Sequence, residues 1–418
     1  MIYEKIEIDK DFDLIILPTN KFKTNYISVY MARPLDRKEV TKNALLPYVL
    51  NAGSNKYKDQ VQISNRLDEL YGASFGCGVT KSGERHITSF KMTLVNDLYL
   101  DEAIFEQGVE FLKEIILNPL VQNSKFDSNV VSVEKEKQIE SIRSRINDKA
   151  RYASERLIEE MCKDEIYSIY DHGYEEDMEI IDEANLYEFY KEFLATSKIY
   201  VVVAGEFDKQ RVIDAIKNNF KIERGNVLPL LEEEYKKEVE SVKYPIDNMN
   251  VVQGKLCLGF RNNIYYKDED YYKLIMYSNV LGGGAHSKLF VNVREKESLC
   301  YYIYSSVDKY KSLLTVSCGI EIKDYDRCKE LILKEMDDIK NGVISDDEFD
   351  NSKKALINGI KSMKDSIRTL SNFAFAQCSR NTLKTPDEII DLIDNVTKAD
   401  IINIANKIKL DTVYFLRD

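Results

Sequence analysis

The residue types able to bind a metal or act as nucleophiles are few in this chain and poorly spaced for either task. Its three histidines, His86, His172 and His286, lie far apart, and none has a second histidine four residues on. That spacing is what puts two imidazoles on one helix face, so a local His–His zinc motif is excluded. A triad assembled from distant residues stays open, although a lone histidine is more often a satisfied structural residue. The seven cysteines, Cys77, Cys162, Cys257, Cys300, Cys318, Cys328 and Cys378, are scattered and contain no C-x-x-C pair. Such usage predicts reduced thiols, mostly small core residues, in a reducing compartment, and hence a cytoplasmic protein. The run Gly282-Gly-Gly284 lacks the Gly-Lys-Ser/Thr ending of a phosphate loop. A tight turn leading into a helix is expected there, with His286 in the turn or the helix start.

Composition narrows the partners. The 418 residues carry 59 Lys+Arg against 71 Asp+Glu, a net charge of −12. Phosphate backbones need basic surface, so nucleic acid is excluded as a partner. Basic or extended peptides suit the charge better, as does the plain reading of an acidic soluble protein. The start, Met1 to Asp11, alternates charged and apolar residues without the apolar core of a secretory signal. No stretch approaches the ~20 apolar residues of a membrane span, so no membrane is expected. At ~100–200 residues per domain, the length suggests roughly two to four domains.

The elements that would position a site are written twice along the chain, a pattern worth seeking before any other. In the first half, Arg66–Phe75 leads into the alternating run His86–Leu94, whose Phe90, Met92 and Leu94 share one strand face. A helix is predicted from Leu100 to Leu117, with Ile104, Phe105, Leu112, Ile115 and Ile116 as its apolar stripe and Pro119 ending it. In the second half, Arg294–Tyr304 precedes the alternating run Leu313–Ile320. A helix from Tyr325 to Lys340 follows, burying Leu331, Ile332, Met336 and Ile339 and stopping at Gly342. The closing segments match as well. Helix Asn185–Leu194 runs into strand Ile199–Gly205, and a helix capped by Thr397 runs through Ala405 into Val413–Leu416.

Between the halves, Glu223 to Asn250 is charged, contains Pro229 and Pro245, and reads as a linker. The expected organisation is an N-terminal half (1–222), the linker (223–250) and a C-terminal half (251–418). Strands and helices come in blocks, which predicts an α+β fold. The expected form is two duplicated α/β-roll halves, each a mostly antiparallel sheet with helices packed on one face.

The 25 positions Leu281-Gly-Gly-Gly-Ala-His-Ser-Lys-Leu-Phe-Val-Asn-Val-Arg-Glu-Lys-Glu-Ser-Leu-Cys-Tyr-Tyr-Ile-Tyr-Ser305 closely resemble the C-terminal-half signature of the pitrilysin/insulinase (inverzincin) zinc peptidases. The shared pattern is a glycine-rich turn, a serine, a helix with an Arg-Glu-Lys run, then Leu and Tyr opening a strand. Chain length and the internal repeat agree with the short, processing-peptidase-like members. The resemblance implies a half-clamshell that assembles with a second chain around a chamber for unfolded peptides.

Active members carry H-x-x-E-H on a helix of the first half, with two zinc-binding histidines and a glutamate that activates water. The matching stretch here, Asn43–Ser54, puts Ala44 and Tyr48 at the histidine positions and Pro47 at that of the glutamate. Alanine has no donor atom, neutral tyrosine is a poor zinc ligand, and proline is no base. The resemblance therefore implies that this chain binds no zinc itself. The family's distal zinc-ligand glutamate has remnants at Glu134 or Glu136, in a helix otherwise rich in solvated charge.

Arg294 and Tyr301 stand where the family places an Arg/Tyr pair that holds the substrate backbone and the tetrahedral intermediate. A guanidinium supplies a fixed fork of donors and a phenol adds one more. The competing reading pairs Arg294 with Glu295 or Glu297 and lays Tyr301 into a sheet face. The resemblance implies a non-catalytic subunit of a heterodimeric zinc peptidase, its homologous partner supplying zinc and base. A homodimer, an inactive peptide-binding or assembly scaffold, and a self-sufficient peptidase with replaced ligands are the alternatives.

Overall fold

In the computed structural model, which describes residues 3–418, the apolar runs of the two halves become the centres of two sheets. Strands β1 (Glu4–Asp9), β2 (Phe12–Pro18) and β3 (Thr24–Pro34) come first, then helices α1 (Val40–Ala52) and α2 (Gln60–Glu69). The pair β4 (Ser74–Ser82) and β5 (Arg85–Val95) leads to α3 (Phe105–Leu117) and the small strands β6 (Val121–Gln122) and β7 (Lys125–Phe126). Helices α4 (Ser128–Ser144), α5 (Lys149–Met161) and α6 (Glu183–Thr196) follow, with β8 (Lys198–Gly205) and α7 (Lys209–Asn219). Next come β9 (Ile246–Asn248), β10 (Gly254–Arg261), α8 (Tyr271–Gly282), a π-helical turn (Phe290–Lys296), β11 (Cys300–Asp308) and β12 (Leu313–Ile320). The chain closes with α9 (Tyr325–Lys340), α10 (Asp346–Met363), α11 (Ile367–Ser379), α12 (Pro386–Asp394), α13 (Lys398–Ala405) and β13 (Lys409–Arg417).

The first compact unit comprises residues up to Arg143, Ile169–Leu231 and Met363–Thr385. Its sheet has the order β1-β2-β8-β3-β5-β4, in which only the β2–β8 pair is parallel. Ile27, Val29, Phe90, Met92, Leu94, Val201 and Val203 face a helical layer that includes Leu45, Phe111, Ile115 and Phe193. Burying each such side chain stabilises by roughly 1.5–3 kcal/mol, which makes the β3–β8 centre the anchor of the unit. The helix expected from Leu100 begins only at Phe105. Asn96 caps a short turn instead, and Asp97 takes the Ile104 N–H at 3.0 Å, holding 100–104 out of helical register.

The other face of this sheet is covered by α11, which comes from the far end of the chain. Leu370, Ala374 and Cys378, at i, i+4 and i+8, pack on Ile15, Leu17, Tyr26, Tyr30, Tyr200, Val202 and Ala204. Tyr30 stacks on Phe375 with centroids 3.9 Å apart and donates its hydroxyl to Asn372 at 2.8 Å.

The second unit comprises Ser144–Ser168, Glu232–Ser362 and Pro386–Asp418. Its sheet, β11-β12-β10-β13-β9, repeats the order β4-β5-β3-β8-β2, again with a single parallel pair, β9–β13. Leu256, Leu258, Phe260, Val316, Cys318, Ile320, Val413 and Phe415 face the main helical layer. The opposite face takes α5, from the first half of the sequence, through Ala153 and Leu157 against Cys257 and Tyr414. Gly259 makes room for it: a Cβ there would stand 2.6 Å from Met161 Sδ and 3.3 Å from Leu157 Cδ1. Below α5, buried Arg261 donates to Glu165 at 2.6 Å and Asp411 at 3.1 Å, while fully buried Lys311 reaches Glu165 at 2.8 Å. Each sheet therefore carries its main helical layer on one face, as an α+β fold requires, and one helix from the other half of the sequence on the other. Among the described residues, no helix is long and apolar enough to cross a membrane.

Candidate functional site

In the first unit, α1 brings Ala44, Pro47 and Tyr48 to the β4 end of the sheet. Ala44 is fully buried, Pro47 is buried, and Tyr48 is half-buried. Pro47 lies inside the helix. It has no N–H to give the Asn43 carbonyl, a defect of about 3 kcal/mol that the surrounding core tolerates. The Pro47 carbonyl instead accepts from the Cys77 thiol of β4 at 3.3 Å. The Tyr48 hydroxyl lies along the same strand, 3.6 Å from where a Cβ on Gly78 would be.

Of the two glutamates on α4 that the resemblance marks as remnants, Glu134 lies near this group and Glu136 does not. Glu136 is exposed, whereas the Glu134 side chain is 11% exposed and pairs with Lys137 at 2.6 Å. Burial raises the Tyr48 pKa, and the charges of Cys77 and Glu134 add to it. Burial and then Glu134 push the Cys77 thiol up to about 12. The position therefore holds a neutral phenol, a protonated thiol and one carboxylate already neutralised by a lysine. Zinc needs three or four deprotonated or imidazole donors, so this donor set does not fit it. Among the described residues, no group of three or more His, Cys, Asp or Glu is arranged to hold a metal ion.

A polar pair that the sequence did not flag fastens α1 to the sheet. Asn43 meets His86 Nδ1 of β5 at 2.7 Å and accepts from Thr88 at 3.1 Å. His86 is buried, and burial pushes its pKa down to about 4 against the opposing pull of Asp171. His86 is thus a neutral core histidine. His172 lies beside Tyr170 with ring centroids 5.4 Å apart, and His286 bonds Asn279 at 3.0 Å in the glycine-rich turn. A histidine followed by alternating apolar residues carries no signal that an asparagine will meet it.

In the second unit, the two remaining candidates each sit on a backbone irregularity. Arg294 is carried by the π-helical turn Phe290–Lys296, a wider coil that recurs at functional sites. Its guanidinium lies 4.5 Å from the Phe290 ring centroid and has no hydrogen-bond or ion-pair partner among the described residues. Glu297, one of the partners expected from sequence, pairs with Arg327 instead. Ser298 then adopts the left-handed φ of 54° and turns the chain into β11.

Tyr301 falls at a break of register between Cys300 and Tyr302, opposite Ile320 and Gly319 of β12. Such a bulge re-aims a side chain. Tyr301 is 53% exposed while its neighbours Cys300 and Ile303 face the core, so it does not fill a sheet face. The glycine-rich turn braces the arrangement from behind. A Cβ on Gly282 would stand 2.6 Å from the Ser305 N of β11, and the Ser278 and Ser305 hydroxyls meet at 2.9 Å. Two solvent-facing donors without internal partners among the described residues can bind a carbonyl or carboxylate oxygen.

Several known proteins are similar to this chain. The family described as "Peptidase M16 inactive domain" matches residues 181–356. A Bacillus subtilis protein named "Probable inactive metalloprotease YmfF" is 36% identical over 404 residues, 96% of this chain and 95% of that one. Another, "Uncharacterized zinc protease YmxG", is 25% identical over 306 residues, 70% of this chain and 71% of its own length. The solved structure of a conserved protein from Enterococcus faecalis superposes with a TM-score of 0.92 at 30% identity, covering 99% of this chain and 98% of that one. The chain belongs to the M16 (pitrilysin/insulinase) peptidase family, as one of its inactive members without the H-x-x-E-H zinc motif.

Proposed function

We propose that this chain is the non-catalytic subunit of a heterodimeric M16 peptidase, contributing Arg294 and Tyr301 to peptide and transition-state binding while a homologous partner supplies zinc and the general base. The observation that carries the reading is the contrast between the two candidate sites. The metal position has lost every donor of its motif, yet Arg294 and Tyr301 keep unpartnered, solvent-facing donors. Relatives of both kinds exist in one organism, since Bacillus subtilis has a protein named as an inactive metalloprotease and another named as a zinc protease. Among the described residues none of the seven cysteines forms a disulfide, and all but Cys77 are buried, which suits assembly in the cytoplasm.

Peptide would enter along β4. Among the described residues that strand pairs only with β5, so one edge has no partner strand, and it passes Tyr48. An extended peptide gains main-chain hydrogen bonds by joining such an edge.

The test is to mix each of Arg294→Ala and Tyr301→Ala with a purified homologous chain that retains H-x-x-E-H, and to assay peptide cleavage. Losing one oxyanion-directed donor is expected to lower kcat/KM by ~10²–10³. Full activity in both mixtures, with complex formation intact, would leave the assembly-scaffold reading in its place.

A further inference from the structure

Two cations share a groove on the α11 side of the first unit's sheet with no carboxylate to balance them. The groove has a volume of about 340 Å³ and runs beside the open edge of β4. Lys91 and Thr93 of β5 form its floor, Arg368 of α11 one wall, and Tyr26 of β3 the back. Gly76, directly opposite Lys91 in the ladder, has nothing within 4 Å of where its Cβ would be, so the floor above the strand stays open.

Lys91 forms no hydrogen bond or ion pair among the described residues. Its ammonium lies 5.6 Å from the Tyr30 ring centroid, and burial together with Arg368 lowers its pKa. Arg368 has no carboxylate partner among the described residues and stands in the first turn of α11, where the helix dipole already disfavours positive charge. Tyr26 is 1% exposed and is part of the groove's lining, with Arg368 close enough to act on its phenol. Two cations thus converge on one space with no carboxylate in its lining, in a chain whose net charge of −12 would otherwise supply carboxylates freely.

We infer that this groove is a carboxylate subsite, taking an Asp or Glu side chain of an extended peptide laid along β4. The inference rests on the peptide-binding reading of β4 given above and adds a selectivity that the chain's net charge opposes. A carboxylate between Lys91 and Arg368 gains two charge-assisted hydrogen bonds. A half-buried pair of that kind is expected to favour Glu over Gln by about tenfold.

The experiment measures binding of fluorescent Val/Thr-rich peptides of about ten residues, strand length, to the full chain by anisotropy. The peptides differ only in a central Glu, Gln or Lys. Expected is about tenfold tighter binding of the Glu peptide than the Gln peptide, with the Lys peptide weakest. Arg368→Gln, and Lys91→Met with it, should erase the preference and leave Gln-peptide affinity unchanged. Arg368 is exposed, so its single variant reports even if the double variant misfolds. Measurable but equal binding of the Glu and Gln peptides would overturn the subsite and leave the β4 edge reading intact. No binding by any peptide would remove both.

Discussion

Writing the family's metal motif onto α1 is the sharpest test of the proposal that the degenerate site lies at Ala44, Pro47 and Tyr48. The triple variant Ala44→His, Pro47→Glu, Tyr48→His writes H-x-x-E-H back onto α1. Replacing Pro47 restores an N–H to the Asn43 carbonyl and is expected to stabilise the helix by up to about 3 kcal/mol. Ala44 is fully buried, so a histidine there overpacks the core at about 1–3 kcal/mol. A carboxylate at buried position 47 adds a desolvation cost of about 1–3 kcal/mol, so the metal-free variant should be less stable than wild type by up to about 3 kcal/mol. Glu134 must leave Lys137, whose side chain is 62% exposed, at no more than about 1 kcal/mol. Zinc at a hundredfold over its Kd should then add about 2.7 kcal/mol, seen as a rise in Tm of several degrees. Adding Glu134→Gln should abolish the rise and adding Glu136→Gln should not. The readouts are zinc stoichiometry on the purified protein and thermal melts with and without metal. A folded triple variant that takes up no zinc would refute the placement of the motif at Ala44, Pro47 and Tyr48.

The buried histidine and the buried ion pairs give two further expectations. His86 has a folded pKa lowered from 6.5 to about 4, so the unfolded chain takes up the proton first. Its contribution is complete above about pH 6.5 and is lost as pH falls through about 4, amounting to about 3 kcal/mol. Urea melts at pH 7 and pH 4 should show His86→Gln losing less stability than wild type by that amount, and parallel losses would contradict it. Lys311→Met leaves Glu165 facing Arg261 with one buried partner gone, and should destabilise by about 3–5 kcal/mol. A denaturation midpoint unchanged from wild type would show that the network does not hold this corner.

Periodic features were readable from sequence and singular ones were not. The alternation over Leu313–Ile320 marks a strand, and β12 has those bounds. The stripe from Tyr325 to Lys340 marks a helix, and α9 has those bounds too, although Leu331 and Met336 are only half-buried. The Thr397 cap is present with its full capping box. The wide turn under Arg294 and the bulge at Tyr301 escape such reading, because one extra residue in a ladder leaves no trace in hydrophobic spacing. Glu134 and Glu136 cannot be told apart by type either; only the rotation of α4 separates them. Nor does an apolar stripe say which sheet it will meet. Ala153, Leu157 and Met161 repeat at the same interval as Leu370, Ala374 and Cys378, and each set covers the sheet whose strands come mainly from the other half of the sequence.

That exchange sets a timetable for synthesis. The first unit's strands are all made by Gly205, but the helix that covers Tyr26, Tyr30 and Val202 ends only at Ser379. Roughly 170 residues separate the two, and at ~5–20 residues per second a ribosome needs about 10–30 s to bridge them. Through that interval the nascent sheet has an apolar face with no lid of its own. The stage most exposed to aggregation is therefore translation, before α11 has been made.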